Sequence, residues 1–160
     1  MRSQLLRLLA LLSLSMLPTA ALAVTNVKAY PGNECKQDGT AGIYGTAWGS
    51  IVNTSSSGDM SVICPLVKDD SSLASAVVRV FDRNTTLNVS CDLRAEYVSG
   101  SSFFISDENE ASSGYGSNAQ DITFSSPPAG GDYYYFYCGI PRSSSGNLSS
   151  IVNIWVTENV

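Results

Sequence analysis

The chain has 160 residues, of which 44% are hydrophobic and 14% charged, with a formal net charge of −5 and no histidine. That length and balance describe a single globular domain, while the missing histidine removes Ser-His-Asp and Cys-His nucleophilic schemes, imidazole proton shuttles and His-ligated zinc. Lys28, Lys36, Lys68, Arg79, Arg83, Arg94 and Arg142 are scattered singly. They form neither the basic stripe that nucleic acid requires nor a polybasic membrane anchor.

The first predicted element is a targeting segment. Arg2 and Arg7 precede a leucine-rich run from Leu8 to Leu17, and Ala21-Leu22-Ala23 supplies the small-x-small cleavage pattern. Residues 1–23 are therefore read as a secretory signal peptide and residues 24–160 as the mature domain. The apolar run is about half of the roughly 20 residues needed to cross a bilayer, so no membrane span is expected. Cys35 is the nearest cysteine after the cleavage site, which argues against a bacterial lipoprotein and for release into the periplasm or medium. Loss of Arg2 and Arg7 leaves seven basic residues against fourteen acidic ones.

Period-two patterning then recurs along the chain, at Gly45 to Asn53, Met60 to Leu66, Ala76 to Asp82, Leu87 to Arg94, Ser102 to Ser106, Asp121 to Ser125, Tyr133 to Ile140 and Ile151 to Thr157. Clusters of Gly, Pro, Ser, Asn and Asp separate these runs, and no segment carries helical periodicity. About eight strands without crossover helices predict an all-β fold, a single antiparallel two-sheet β-sandwich. In the fourth run Leu87, Val89, Cys91 and Leu93 fall on the dry face. Ser50-Ile51-Val52-Asn53 recurs as Ser150-Ile151-Val152-Asn153, too short a repeat to argue for duplication.

Cys35, Cys64, Cys91 and Cys138 all lie beyond the signal, and an even count in an exported chain predicts two disulfides. Three connectivities are open, of which Cys35 with Cys64 and Cys91 with Cys138 is preferred. No CxxC or other metal-ligand spacing accompanies them, and no metal or cofactor is assigned.

The order Gly49-Ser50-Ile51-Val52-Asn53, Val62-Ile63-Cys64-Pro65-Leu66, Val80-Phe81-Asp82-Arg83, Cys91-Asp92-Leu93 and Phe136-Tyr137-Cys138-Gly139-Ile140-Pro141 resembles a group of small exported bacterial proteins of unassigned function. The resemblance runs from Cys35 to Glu158. It implies export, disulfides and an all-β fold, and it transfers no catalytic residue.

Three constellations carry candidate chemistry. Asp92 and Glu96 share strand parity and could form a carboxylate pair of the kind glycoside hydrolysis uses, although outward carboxylates lack the burial that raises an acid's pKa. Asp107-Glu108-x-Glu110, Asp82-x-Asn84 and Asp69-Asp70 place oxygen donors in predicted loops, where calcium would need six to eight of them. Tyr133-Tyr134-Tyr135-Phe136-Tyr137 alternates so that Tyr134, Phe136, Cys138 and Ile140 face the core and Tyr133, Tyr135 and Tyr137 face out.

In the last strand Val152, Ile154 and Val156 form the expected dry set and Trp155 faces away. If the serine-rich loop makes a hairpin of the last two strands, Tyr133 lies opposite Trp155 and Tyr135 opposite Asn153. Tyr133, Tyr135, Tyr137 and Trp155 would then form one outward aromatic platform for sugar rings or a cell-surface protein, unless the segment Val24 to Lys36 covers it. Four Asn-x-Ser/Thr sequons, at Asn53, Asn84, Asn88 and Asn147, fall at turns or outward positions and are expected to be unmodified in a bacterial protein.

The sequence thus points to an exported, non-enzymatic interaction module with polysaccharide as first ligand class. A small carboxylate-dependent hydrolase and a purely structural envelope protein are the alternatives.

Overall fold

A computed structural model describes residues 25–39, 44–69, 72–99 and 102–159; the expected signal peptide lies outside them. The described residues contain eleven strands, β1 (Thr25–Pro31), β2 (Lys36–Asp38), β3 (Tyr44–Ala47), β4 (Ser50–Asn53), β5 (Met60–Leu66), β6 (Leu73–Phe81), β7 (Ser90–Ser99), β8 (Ser102–Ala111), β9 (Gln120–Phe124), β10 (Tyr133–Ile140) and β11 (Ser150–Asn159). One sheet runs β3-β4-β11-β6-β9, with β1 pairing the remaining length of β11, and the other runs β2-β5-β10-β7-β8. All pairings are antiparallel, and the two sheets pack as a sandwich. The described residues hold three strands more than the roughly eight that alternation predicts. The run Gly45 to Asn53 is a hairpin of two strands, and β1 and β2 come from the segment before it, in which no strand was expected.

Alternation builds the core. Tyr134, Phe136, Cys138 and Ile140 of β10 are buried, as are Met60, Val62 and Cys64 of β5, Cys91, Leu93 and Ala95 of β7, and Val78 and Val80 of β6. Each fully buried Val, Ile or Phe stabilises the fold by about 1.5–3 kcal/mol before the entropy of ordering it is counted. Phe124 of one sheet meets Phe136 of the other at 5.0 Å between ring centroids, a tilted pair at the sandwich centre.

Both disulfides are those preferred from sequence, Cys35–Cys64 and Cys91–Cys138. Cys91 and Cys138 are direct cross-strand neighbours. Cys35 closes the short 3-10 turn Gly32–Glu34, which carries the chain from β1 in the first sheet to β2 in the second. Only glycine fits at position 32, because a Cβ there would lie 2.2 Å from the Ile151 carbonyl oxygen.

Several expectations are corrected. Strands β10 and β11 do not form a hairpin: β10 lies between β5 and β7, while β11 lies in the opposite sheet between β6 and the β1 and β4 pair. Residue Val152 is a bulge, since Ile151 pairs with Val80 and Asn153 with Arg79. The extra residue reverses strand parity, so Ile151 is buried together with Ile154 and Val156, and Val152 is only half-buried. Leu87 precedes β7 and is exposed, because Asn84 Oδ1 accepts from the backbone N–H groups of both Thr86 and Leu87 and holds that segment in a turn. The short repeat has a structural expression, in that Ile51 of β4 is paired with Ile151 of β11.

Candidate functional site

The outer face of the second sheet carries the candidate site. Strand β10 is central there, and register places Tyr133 beside Glu96, Tyr135 between Pro65 and Arg94, and Tyr137 between Ile63 and Asp92. Those neighbours point outward with the tyrosines because directly opposed residues share a sheet face. Ile63, Pro65, Arg94 and Glu96, together with the tyrosines, Asp38 and Leu66, line a trough of about 500 Å³. Successive outward tyrosines stand about 6.6 Å apart along the strand. Tyr133 is 65% exposed at one end, while Tyr135 and Tyr137 are half-buried.

Arg94 organises the floor. Its Nη2 donates to Asp92 Oδ2 at 2.7 Å, its guanidinium carbon sits 4.5 Å from the Tyr137 ring centroid, and it hydrogen-bonds Tyr135. Partial desolvation acts to lower its pKa, but the bonds to Asp92 and Tyr135 outweigh this and raise it above the ordinary arginine value. Its Nε is shielded from solvent and has no partner. Asn109 of β8 donates to the other oxygen of Asp92. Asp92 is thus engaged by two donors, and Glu96 lies two strand rows away from Tyr137 beside Tyr133. The floor is a clamped polar network beside aromatic faces, an arrangement suited to binding a ring with hydroxyl edges and apolar faces.

Trp155 does not join the three tyrosines. It lies on the outer face of the opposite sheet, beside Ala29 and Val77 in register, with Arg79 stacked 4.7 Å from its centroid. The expected pairs Tyr133 with Trp155 and Tyr135 with Asn153 are replaced by Tyr133 with Glu96 and Tyr135 with Arg94. Nor does the described part of the segment Val24 to Lys36, from Thr25 on, cover the tyrosines; it forms β1 against β11 and then turns to the edge strand β2. Sequence reading missed Arg94, Asp38, Ile63 and Pro65 as trough residues. The outward parity of Arg94 was visible, but the adjacency of β7, β10 and β5 was not.

The calcium expectations fare differently. Asp107, Glu108 and Glu110 lie in β8, paired with β7, rather than in a loop. Asp82 is fully buried, its Oδ1 accepting from the Asn84 N–H and its Oδ2 from the Val89 N–H and the Ser112 hydroxyl, so protein donors already surround it. Asp69 binds Lys28 at 2.9 Å and Asn26 at 3.2 Å, and Asp70 lies outside the described residues. Among the described residues, no group of three or more acidic or cysteine side chains could hold a metal ion. No helix among them is long and apolar enough to cross a membrane.

No family model matches the chain, and no curated protein matches it. Among solved structures it is similar to a point mutant of a carbohydrate-binding module of family 29, at 9% identity over 84% of this chain and 92% of that one, with a TM-score of 0.46. It is also similar to a family two carbohydrate esterase from Cellvibrio japonicus, at 10% identity over 87% of this chain and 36% of that one, TM-score 0.42. A family 11 carbohydrate-binding module from Clostridium thermocellum, in complex with a β-1,3-1,4-mixed-linked tetrasaccharide, shares 11% identity over 88% of this chain and 92% of that one, TM-score 0.36. At these scores and identities the likeness carries no argument about ligand or activity.

Proposed function

We propose that the chain is an exported, non-enzymatic binding module that takes carbohydrate in the trough on the outer face of the second sheet. The observation that carries this reading is the set of three consecutive outward tyrosines of one central strand, Tyr133, Tyr135 and Tyr137, lining a single open trough with Arg94 and Glu96 beside them. The tyrosines supply rigid faces for the C–H faces of pyranose rings, and Arg94, Glu96 and Asp38 supply hydrogen bonds to hydroxyls. Arg94 is held by Asp92 and by the Tyr137 ring, so little ordering entropy is lost when it binds. Residues 1–23 act as the export signal, and the two disulfides suit an oxidising periplasmic or extracellular destination.

The test is affinity electrophoresis of the purified protein through gels containing neutral or acidic polysaccharides, with Tyr135→Ala and Tyr133→Ala compared with Trp155→Ala. Retardation by at least one polysaccharide, weakened about tenfold in the two tyrosine variants and retained in the tryptophan variant, is expected. Free migration in every gel overturns the reading.

A further inference from the structure

Tyr137 is the last β10 residue that lines the trough. The next outward position of β10 is Gly139, flanked in register by Ser61 of β5 and Ser90 of β7. Gly139 and Ser90 themselves line a second cavity of about 230 Å³, together with Asp59, Leu87, Asn88 and Pro141. A glycine inside a central strand weakens the strand, and it marks places where another group approaches the backbone closely. The backbone does not ask for glycine here, and packing asks for it only through one side chain. Gly139 is not among the residues with positive φ, and a Cβ built on it would meet only the Ser90 hydroxyl, at 3.3 Å. At this position glycine leaves no side chain standing between Tyr137 of the trough and the second cavity.

We infer that the tyrosine trough and the second cavity form one track along β10, joined over Gly139, which takes a linear, uncharged glycan chain of several rings. This inference rests on the trough reading above. From Tyr133 to Pro141 the strand direction covers eight residues, on the order of 26 Å, so a disaccharide occupies only part of the track. The charges favour an uncharged chain. Asp38 and Glu96 line the trough and Asp59 lines the second cavity, whereas the one cationic lining residue, Arg94, is paired with Asp92. A carboxylate-bearing polysaccharide would meet like charge along the track. Leu87, 38% exposed on the wall of the second cavity, offers an apolar contact for the far end of the chain.

Calorimetric titration of the purified protein with cello- and manno-oligosaccharides from disaccharide to hexasaccharide, and with oligogalacturonides of equal length, tests the track. The hexasaccharide is expected to bind at least tenfold more tightly than the disaccharide, and the oligogalacturonides at least tenfold more weakly than the neutral series. Gly139→Gln is expected to abolish the hexasaccharide advantage over the disaccharide, and Leu87→Ala to reduce that advantage. If Gly139→Gln melts below the wild type, the Leu87→Ala titration decides. Affinity that is independent of length, an advantage that survives in the deciding variant, or equal binding of oligogalacturonides overturns the track while leaving the trough. Absence of binding by every oligosaccharide overturns the trough and the track together.

Discussion

The guanidinium of Arg79 stacks 4.7 Å from the centroid of the Trp155 ring, and its nitrogens bind both carboxylate oxygens of Asp121 at 2.7 and 2.8 Å. Three strands are thereby tied together on the outer face of the first sheet, β11 through Trp155, β6 through Arg79 and β9 through Asp121. The indole works here as a packing surface for a fixed cation. Trp155→Ala should lower stability by about 1–2 kcal/mol through lost cation–π and apolar contact, while glycan retention stays unchanged. Tyr135→Ala should show the opposite balance. Urea titration beside affinity electrophoresis of the same two variants checks this.

The same ion pair sets an acid limit. The hydrogen bond from Arg79 and its charge hold the Asp121 carboxyl below its ordinary value, against a smaller desolvation effect. A carboxyl lowered in the folded state contributes stability above its unfolded pKa, near 3.8, and loses it as pH falls through the folded value. The difference in melting temperature between wild type and Arg79→Met should therefore be largest near pH 6 and narrow as pH falls below about 3.8, leaving the share contributed by stacking on Trp155. A gap of unchanged size in acid would show that Arg79 acts through stacking alone.

Two of the four sequons are internal turn devices. Asn53 is fully buried, with Nδ2 donating to Gly58 and Ile140 carbonyls and Oδ1 accepting from the Ser55 N–H. Asn84 is 3% exposed, with Oδ1 accepting from the Thr86 N–H and hydroxyl and Nδ2 donating to the Arg142 carbonyl. An asparagine that bonds the backbone N–H two residues on makes an Asx-turn, which explains both Asn-x-Ser/Thr patterns. Asn53→Ala should cost about 2–4 kcal/mol, since it orphans buried carbonyls and an N–H. Expression in a eukaryotic secretory host should leave Asn53 and Asn84 unglycosylated, as read by peptide mass.

Trp48 is fully exposed at the tip of the β3–β4 hairpin, with φ of 55° followed by Gly49 at 79°. A two-residue turn with both φ values positive favours Asn-Gly, and a bulky ring in the left-handed region is strained. Trp48→Asn should raise stability by about 0.5–1 kcal/mol, measured as a higher urea midpoint with an unchanged slope.

The disulfide Cys91–Cys138 spans 47 residues of chain, and Cys35–Cys64 spans 29. In the chain-entropy model each restricts the unfolded state by about 3–4.5 kcal/mol, slightly more for the longer loop. The double variant Cys91→Ala/Cys138→Ala should therefore destabilise more than Cys35→Ala/Cys64→Ala when both are unfolded in urea. Equal losses would indicate native-state contributions that offset loop length.

Local alternation in the sequence determined which residues of most strands face inward, because side-chain direction in a strand reverses at every residue whatever its neighbours are. Tyr134, Phe136, Cys138 and Ile140 are inside and Tyr133, Tyr135 and Tyr137 outside, as period two requires. The same parity places Cys91 and Cys138 on the core face of β7 and β10. Tertiary structure alone decided who stands beside whom. Strands β10 and β11 each carry one dry face, and that pattern is satisfied equally by pairing edge to edge or by packing face to face in opposite sheets. The segment between them crosses from one sheet to the other, so Tyr135 has Arg94 beside it and Trp155 has Arg79. The Val152 bulge is of the same kind, since an extra residue becomes visible only against the partner strand that skips it. Faces are a property of the chain; neighbours are a property of the packed sandwich, where burying both dry faces against each other selects one arrangement.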